Sequence, residues 1–314
     1  LDGGGEVSVV RFGNSGYRVS RLDGFVVQNG GLYRAGLFST NLADYKLGQG
    51  GGILSWVGGP EIVNNLVQQN AVGNPYSALY PEFERGGGIA GFVSTAVLRG
   101  NTIQDNEVWD NQDGRGGGVY FRKSTPMILS NTIQRNHAEN GAGIYIDGDA
   151  QTRSYVGQNR IENNTGYRVD AAGLASAYGG GINCQACYGF TIERNIIRGN
   201  YAQYGSGFYL ASSTNGRIES NLFVGNNPVT PGDTVFAGGG LNFLNTAIGE
   251  TRILNNTFVN HQAISGGAIL MDGFDTIVVA NNIITDNSSG IQTNNIMGMV
   301  PTVLDYNLFS DNGS

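Results

Sequence analysis

The densest group of residues able to do acid–base chemistry lies in the middle of an otherwise sparsely charged sequence. Its members are Arg122, Lys123, Asp147, Asp149 and Arg153. A lysine or arginine beside carboxylates that hold calcium can abstract a proton, as a polysaccharide lyase requires. The same residues could instead form surface ion pairs, each contributing under about 1 kcal/mol. Both interpretations stay open, and the candidate catalytic residues are Arg122, Lys123 and Asp147.

Other charged residues are expected on loops opposite this group. They are Asp113, Arg115, His137 and Glu139. An acidic run could hold calcium, although its spacing matches no established calcium-binding loop. The run consists of Asp105, Glu107, Asp110 and Asp113. Calcium is therefore an option, and no cofactor is required.

The two cysteines, Cys184 and Cys187, form a single C-x-x-C pair. A zinc site of this type needs further ligands, and neither His137 nor His261 has ligand spacing to the pair. A local disulfide, or two unreactive thiols, is expected instead of a metal site.

An internal repeat must position all of these residues. A glycine-rich tripeptide followed by an apolar residue recurs eight times, from 50–53 to 266–269, and each copy precedes an Asn-x-apolar-x-x-Asn segment. The first Asn column contains Asn65, Asn101, Asn131, Asn159, Asn195, Asn221, Asn256, Asn282 and Asn307. The second contains Asn70, Asn106, Asn136, Asn164, Asn200, Asn226, His261, Asn287 and Asn312. Two apolar columns keep the same register, which predicts a shared core.

This repeat predicts an all-β fold, a parallel β-helix of about ten coils with its long loops on one side. Copies lie 25 to 36 residues apart, and each apolar position would stack on its equivalent about 4.8 Å away. The asparagines are expected at left-handed bends, with amides bonded to the coils above and below. The glycines allow positive-φ corners. An atypical first coil is expected to place Gly24 in the first Asn column.

The strand after each glycine cluster carries the candidate substrate-binding residues. Alternate residues of that strand point out of the core. A solvent-exposed stripe of aromatic rings and amides suits sugars, because rings take the C–H faces and amides take the hydroxyls. The stripe consists of Trp56, Tyr120, Tyr145, Asn183, Tyr209 and Asn242, with Trp109 from a neighbouring loop. An ordinary solvated sheet face is the alternative.

The connections between the second Asn and the next glycine cluster vary from 2 to 20 residues. Because they occupy the same place in every coil, they should emerge on one side, which in repeat proteins is often the binding face. Their aromatic residues are Tyr33, Phe38, Tyr45, Tyr76, Tyr80, Phe83, Trp109, Tyr167, Tyr178 and Phe236. These rings either contact a ligand or anchor their own loops.

Composition disfavours several classes of protein. The 314 residues include 51 Gly and 35 Asn, which is unlike a helical enzyme or a coiled coil. A net charge of −7 and thinly spread basic residues disfavour nucleic acid as a partner. The sequence contains no apolar run long enough to span a membrane. It begins at Leu1 without a leader, as expected of a processed chain or a fragment.

The repeat resembles the right-handed parallel β-helix of the pectate-lyase-like superfamily. The stretches at 1–5 and 22–25 look like entry coils of its secreted bacterial members. The resemblance implies the fold and a place outside the cell or at its surface. It implies no single activity, since the superfamily includes lyases, hydrolases, epimerases and adhesins. The acidic motifs of its enzymes are absent, and 108–111 lacks the histidine of the pectate lyase segment that it resembles.

We therefore expect a secreted, extracellular or cell-surface module that binds a polysaccharide or cell-wall glycan, or serves a structural or adhesive role. One alternative is a polysaccharide lyase, hydrolase or epimerase acting on acidic glycans. Another is the subunit of an extracellular filament. We expect one β-helix domain over 1–314, within a longer polypeptide because no cap is recognisable at either end; head-to-tail stacking of copies is the alternative.

Overall fold

The computed structural model describes residues 1–4, 8–13, 20–32, 50–73, 85–109, 113–167, 177–227, 236–245, 249–273, 276–294 and 302–313. These residues contain 35 short strands and no helix. The strands form three parallel sheets of ten strands and a fourth sheet of five, with each strand paired to its equivalents in the neighbouring coils. The fold is the right-handed parallel β-helix of ten coils predicted from the repeat.

The strands are numbered in chain order, and coil n contains the nth strand of each long sheet. The first sheet contains β1 (Val10–Phe12), β5 (Ile53–Gly58), β9 (Ile89–Ser94), β13 (Val119–Arg122), β17 (Ile144–Asp147), β21 (Ile182–Gln185), β24 (Phe208–Ala211), β27 (Leu241–Asn245), β30 (Ile269–Gly273) and β33 (Ile291–Thr293). The second contains β2 (Arg21–Asp23), β6 (Glu61–Val63), β10 (Val97–Arg99), β14 (Met127–Leu129), β18 (Tyr155–Gly157), β22 (Thr191–Glu193), β25 (Arg217–Glu219), β28 (Glu250–Leu254), β31 (Thr276–Ala280) and β34 (Thr302–Asp305).

The third sheet contains β3 (Val26–Gln28), β7 (Leu66–Gln68), β11 (Thr102–Gln104), β15 (Thr132–Gln134), β19 (Arg160–Glu162), β23 (Ile196–Arg198), β26 (Leu222–Val224), β29 (Thr257–Val259), β32 (Ile283–Thr285) and β35 (Leu308–Ser310). The fourth sheet follows the third in coils 1 to 5. It contains β4 (Gly31–Leu32), β8 (Ala71–Gly73), β12 (Glu107–Trp109), β16 (His137–Ala138) and β20 (Thr165–Gly166).

The core consists of apolar columns that run along the inside of the coils. Ile103, Ile133 and Ile161 pair in register on the third sheet, and all three are fully buried. The second sheet has the same arrangement at Leu98 and Ile128. Each such residue contributes roughly 1.5–3 kcal/mol through burial. The predicted apolar columns are confirmed.

Two asparagine ladders connect the coils. In the first, the backbone N–H and Nδ2 of Asn101 both donate to Oδ1 of Asn131, at 2.9 Å each, and Nδ2 also donates to the carbonyl of Ile62 at 2.7 Å. The second ladder repeats this pattern, for example from Asn106 to Asn136. The predicted amide stacking is confirmed.

The expectation that the ladder asparagines are themselves left-handed is wrong. The positive φ falls one residue earlier, for example at Asn64 (54°) and Asp105 (54°). That residue makes the bend, so the following asparagine can direct its amide along the ladder.

The first coil differs from the predicted alignment by one residue. Phe25, rather than Gly24, occupies the first Asn column, because the Phe25 N–H donates to Oδ1 of Asn65 at 2.9 Å. Gly24 instead aligns with the bend, at a φ of 78°. The glycine serves the turn, and the ladder begins in the second coil.

The first glycine of each cluster has the positive φ that was predicted, as at Gly86 (71°) and Gly116 (70°). A Cβ on Gly116 would lie 2.7 Å from Cβ of Tyr120, so the turn lies directly against the first sheet. Most residues of the longest connections fall outside the described ranges, including Tyr33, Phe38, Tyr45, Tyr76, Tyr80 and Phe83. In the described part of the chain, no helix has the length and apolar character needed to cross a membrane.

Candidate functional site

The predicted stripe on the first sheet is in register but buried. Tyr120, Tyr145, Asn183, Tyr209 and Asn242 pair in sequence across β13, β17, β21, β24 and β27. Their side chains point away from the main core, yet Tyr120 and Tyr145 are each only 1% exposed. The expectation of a solvent-exposed stripe is therefore wrong for this column, which fixes the shape of the face instead of forming its surface.

A second column of residues covers this stripe, and sequence reasoning missed it. Each member immediately precedes a glycine cluster and forms a single parallel bridge with its equivalent in the next coil. The covering column contains Arg85, Arg115, Asn140, Tyr178, Tyr204, Ala237 and Ser265. These residues occupy one fixed position of the repeat, but their types differ too much for the sequence alone to reveal a column.

The solvent-facing edge of the first sheet lies two residues further along each strand. This rim column contains Trp56, Phe92, Arg122, Asp147, Gln185, Ala211, Leu244 and Asp272. Arg122, Gln185 and Leu244 are exposed, while Trp56 is half-buried. The accessible face therefore comprises the exposed and half-buried members of the rim and covering columns, while Phe92, Arg85, Ala237 and the tyrosines Tyr120 and Tyr145 are buried.

Aromatic rings stack along the rod in two groups. In coils 2 to 5, Trp56 stacks on Phe92 (5.2 Å between ring centroids) and Tyr120 stacks on Tyr145, while Phe92 packs at a tilt against Tyr120. This group is mostly buried and supports the face from below.

The second group lies in coils 6 to 8. Tyr178 stacks on Tyr204 at 5.1 Å, and Tyr204 stacks on Phe236 at 5.7 Å. Tyr209 lies beneath, 4.9 Å from Tyr178. Tyr178 and Tyr204 are half-buried and Phe236 is 40% exposed, so three rings reach the surface, one per coil.

Charged residues dominate the same face in coils 3 to 5. Arg85 donates to the Asp113 carbonyl at 2.6 Å and contacts its carboxylate at 3.1 Å. Arg115 contacts the same carboxylate at 2.5 Å and lies 5.0 Å from the centroid of the Tyr145 ring. Two guanidinium groups thus hold one carboxylate, which fixes this part of the covering column.

The three candidate catalytic residues lie next to each other at the rim. Arg122 Nε is 3.3 Å from Asp147 Oδ2, and the Lys123 backbone N–H donates to the Asp147 carbonyl at 2.8 Å. Burial raises the pKa of Asp147, against the opposing effect of Arg122. Arg122 and Lys123 are exposed. Beside them, the Tyr145 hydroxyl donates to Gln185 Oε1 at 2.6 Å, and burial raises the pKa of this tyrosine.

The remaining members of the charged group have other contacts. Asp149 accepts hydrogen bonds from the Gln151 and Thr152 backbones within a tight turn. Arg153 lies 4.4 Å from the ring centroid of Tyr188. These contacts hold local turns, and none of them involves Asp147.

Trp109 lies on the fourth sheet, away from the strands of the stripe. Its Nε1 donates to Glu107 Oε2 at 2.7 Å, and its ring packs at a tilt against His137, with 5.3 Å between the ring centroids. Burial lowers the pKa of His137, while Glu107 acts in the opposite direction. Glu139 is buried and accepts a hydrogen bond from the Gly114 N–H.

Among the described residues, no three His, Cys, Asp or Glu side chains lie where they could share a metal ion. Asp105 pairs with Arg135, and Asp110 of the proposed acidic run lies outside the described residues. Cys184 and Cys187 form a disulfide whose Cα atoms are 5.9 Å apart, in agreement with the expected local bridge.

Comparison with known proteins gives one match. A family model described as "Right handed beta helix region" matches residues 6–178, 99–273 and 180–314. No curated protein and no solved structure matches the chain.

Proposed function

We propose that this chain, which belongs to the right-handed β-helix family, is a secreted or cell-surface module that binds an extended polysaccharide. The binding face is the first sheet with its covering column. The glycan chain lies along coils 6 to 8, parallel to the axis of the rod, and the charged residues of coils 3 to 5 form one end of the site.

The observation that carries the proposal is the surface stack of Tyr178, Tyr204 and Phe236. Because the three rings stack on one another, they present mainly their edges to the apolar C–H surface of a sugar, and the sugar's hydroxyls need polar partners. Gln185 is exposed in the same part of the face and supplies an amide for those hydroxyls. A stack of one ring per coil suits a linear polymer better than a small molecule.

The covering column is held rigidly before any ligand arrives. Tyr178 and Tyr204 are joined by a backbone bridge as well as by ring stacking. Tyr209 supports Tyr178 from below. A surface that needs no reordering loses little conformational entropy on binding, so modest contacts are enough for useful affinity.

The disulfide supports the extracellular part of the proposal. Disulfides persist in oxidising compartments and are rare in reducing ones. Cys184 lies in the first-sheet strand of coil 6 and Cys187 lies two residues after that strand ends, and both are buried.

The test is calorimetric binding to a panel of linear polysaccharides. Replacing Tyr204 with Ala should weaken binding about tenfold, which corresponds to ~1.4 kcal/mol. The matched control is Tyr188→Ala, which removes a half-buried stacked tyrosine outside the face. Equal affinity in both variants, or no binding by the unaltered protein to any polysaccharide, would contradict the proposal.

One observation favours a second function, cleavage of an acidic glycan. The carboxyl of Asp147, with its raised pKa, lies beside Arg122 and near the exposed Lys123. A proton-accepting group next to two cations could promote elimination from a uronic acid. The test is ultraviolet absorbance of unsaturated product during incubation with uronic-acid polymers, with and without calcium. Product formation that Lys123→Ala abolishes would establish this function over simple binding.

A further inference from the structure

The third sheet carries an exposed face that the proposed glycan site does not use. On coils 6 to 10, six of its ten outward side chains are aliphatic, and the other four are Arg198, Thr257, Thr285 and Ser310. This aliphatic strip contains Ile196, Leu222, Val224, Val259, Ile283 and Leu308. Leu222, Ile283 and Leu308 are 38%, 44% and 60% exposed. Exposed apolar side chains grouped on one face are a feature of many interaction sites.

The other half of the sheet is different in character. In coils 1 to 4, Gln28, Gln68, Gln104 and Gln134 form a chain of side-chain hydrogen bonds. In coil 5, Arg160 and Glu162 form an ion pair. The aliphatic strip is therefore bounded at coil 5, and it is not a general property of the sheet.

The strands that carry the strip are regularly paired. Leu222, Thr257 and Ile283 pair in register across β26, β29 and β32 without a bulge. No outward residue of these three strands is charged. A regular surface without charges can pack against an identical surface, because no like charges are opposed at its centre.

The charged and aromatic groups that flank the strip lie mostly at its two ends, and the exposed Asp286 of coil 9 is the exception. At coil 6 it is flanked by Arg194 and Arg198, whose side chains are 64% and 52% exposed. At coil 10, Tyr306 is equivalent to Arg194 and is 82% exposed, and the exposed Asp311 lies one position beyond Ser310, the equivalent of Arg198.

We propose that the aliphatic strip is a docking surface for a second copy of this chain, packed face to face with the two rods antiparallel. A two-fold axis along the strand direction through coil 8 places coil 6 of one copy opposite coil 10 of the other. Arg198 then meets Asp311 of the second copy, and Arg194 meets the ring of Tyr306. Both contacts occur twice in the pair.

The alternative two-fold axis, along the rod, is unfavourable. It would oppose coil 6 to coil 6 with the strand direction reversed. Arg194 of one copy would then face Arg198 of the other, which brings like charges together. Charge complementarity thus selects the antiparallel arrangement.

The area of the aliphatic strip indicates how strongly two copies of the chain should associate. Five strands about 4.8 Å apart, with two outward positions about 6.6 Å apart on each, give a footprint on the order of 300 Å² per copy. Stable interfaces bury about 800 Å² per partner. The association should therefore be weak and should appear only as the protein concentration is raised.

Sedimentation velocity over a wide range of protein concentrations tests the docking surface. The unaltered protein should form a reversible dimer, and Leu222→Lys should weaken the association about tenfold. Met127→Lys is the matched control, because Met127 is an exposed apolar residue at the first position of a strand on the second sheet. A protein that stays monomeric at every concentration, or equal effects of the two variants, would overturn the proposal.

A charge exchange tests the antiparallel arrangement and separates it from any general loss of stability. Arg198→Asp and Asp311→Arg should each weaken the dimer, and the double variant should restore it. Arg99→Asp, at the third position of a strand on the second sheet, should leave it unchanged. Arg198 also lies 3.4 Å from Glu162, but loss of that contact would persist in the double variant. Failure of the double variant to restore association would overturn the arrangement.

Discussion

His261 Nδ1 accepts a hydrogen bond from the backbone N–H of Asn226 at 3.1 Å, in the position where other coils use an asparagine Oδ1. The imidazole is fully buried, and burial lowers its pKa to about 3. In a neighbouring coil, the backbone N–H and Nδ2 of Asn200 both reach Oδ1 of Asn226. The ladder therefore continues through His261 with a different acceptor.

We predict that His261→Asn stabilises the protein, and more so in mild acid. The unfolded histidine binds a proton below a pH of about 6.5, whereas the folded imidazole stays neutral down to about 3. The unaltered protein therefore loses up to about 1.4 kcal/mol of stability per pH unit as the pH falls through this window. Urea titrations at pH 7 and pH 5 measure the difference. A stability difference that is the same at both pH values would contradict the prediction.

The ladder asparagines should be among the least replaceable polar residues. Asn131 Nδ2 donates to the Leu98 carbonyl and to Asn159 Oδ1, while its own Oδ1 accepts two bonds from Asn101. Asn131→Ala leaves several buried groups without partners, at roughly 1–3 kcal/mol each. We expect a loss of about 3 kcal/mol or more in the free energy of unfolding.

Gln134→Ala is the control for this prediction. Gln134 also belongs to a side-chain ladder, but it is half-exposed, and water can replace its partner. We expect a loss below about 1 kcal/mol, because a solvated hydrogen bond contributes little net stability. Similar losses in the two variants would show that burial does not decide the importance of these amides.

The apolar columns and the asparagine ladders were predictable from the sequence because they recur once per coil. The predicted alignment of the first coil is off by one residue because that coil has no asparagine in the ladder column. Only the hydrogen bond from the Phe25 N–H to Asn65 Oδ1 fixes the register and places Gly24 at the bend. Burial of Tyr120 and Tyr145 was not predictable from strand alternation, which separates inside from outside but does not show what covers the outside.

The covering column is a second feature that the sequence pattern did not predict. Arg115 and Tyr178 occupy one repeat position, yet their residue types share no chemistry that would reveal a column. Only backbone pairing places both residues over the stripe. Contacts between equivalent positions of neighbouring coils could thus be predicted from the repeat. Contacts between a turn and the strand that follows it could be found only in the structure.

Val93 provides a test of backbone strain. It has a φ of 50° and a side chain that is 56% exposed, so a β-branched residue occupies the left-handed region with little packing in return. Val93→Asn should raise the free energy of unfolding by about 1 kcal/mol, because asparagine tolerates this conformation better. Val97→Asn, at the start of strand β10, should lower it. Thermal unfolding of both variants gives the comparison, and a destabilised Val93→Asn would contradict the prediction.

Asp147 should reduce stability at neutral pH. Burial raises its folded pKa above the ordinary 3.8, with Arg122 only partly compensating. As the pH rises from below 3.8 through the folded pKa, the unfolded carboxyl loses its proton first, so the folded state is progressively disfavoured. Asp147→Asn removes this effect and should stabilise the protein at pH 7, by about 1.4 kcal/mol for each unit of pKa shift.

The same substitution should have almost no effect at pH 3, where the carboxyl is protonated in both states and resembles an amide. Urea titrations of the Asp147→Asn variant and the unaltered protein at pH 3 and pH 7 therefore test the sign as well as the size of the effect. A gain of equal size at both pH values would mean that packing, and not charge, is responsible. A gain confined to pH 7 would show that the chain retains a carboxylate at a cost in stability, on the face where a ligand is proposed to bind.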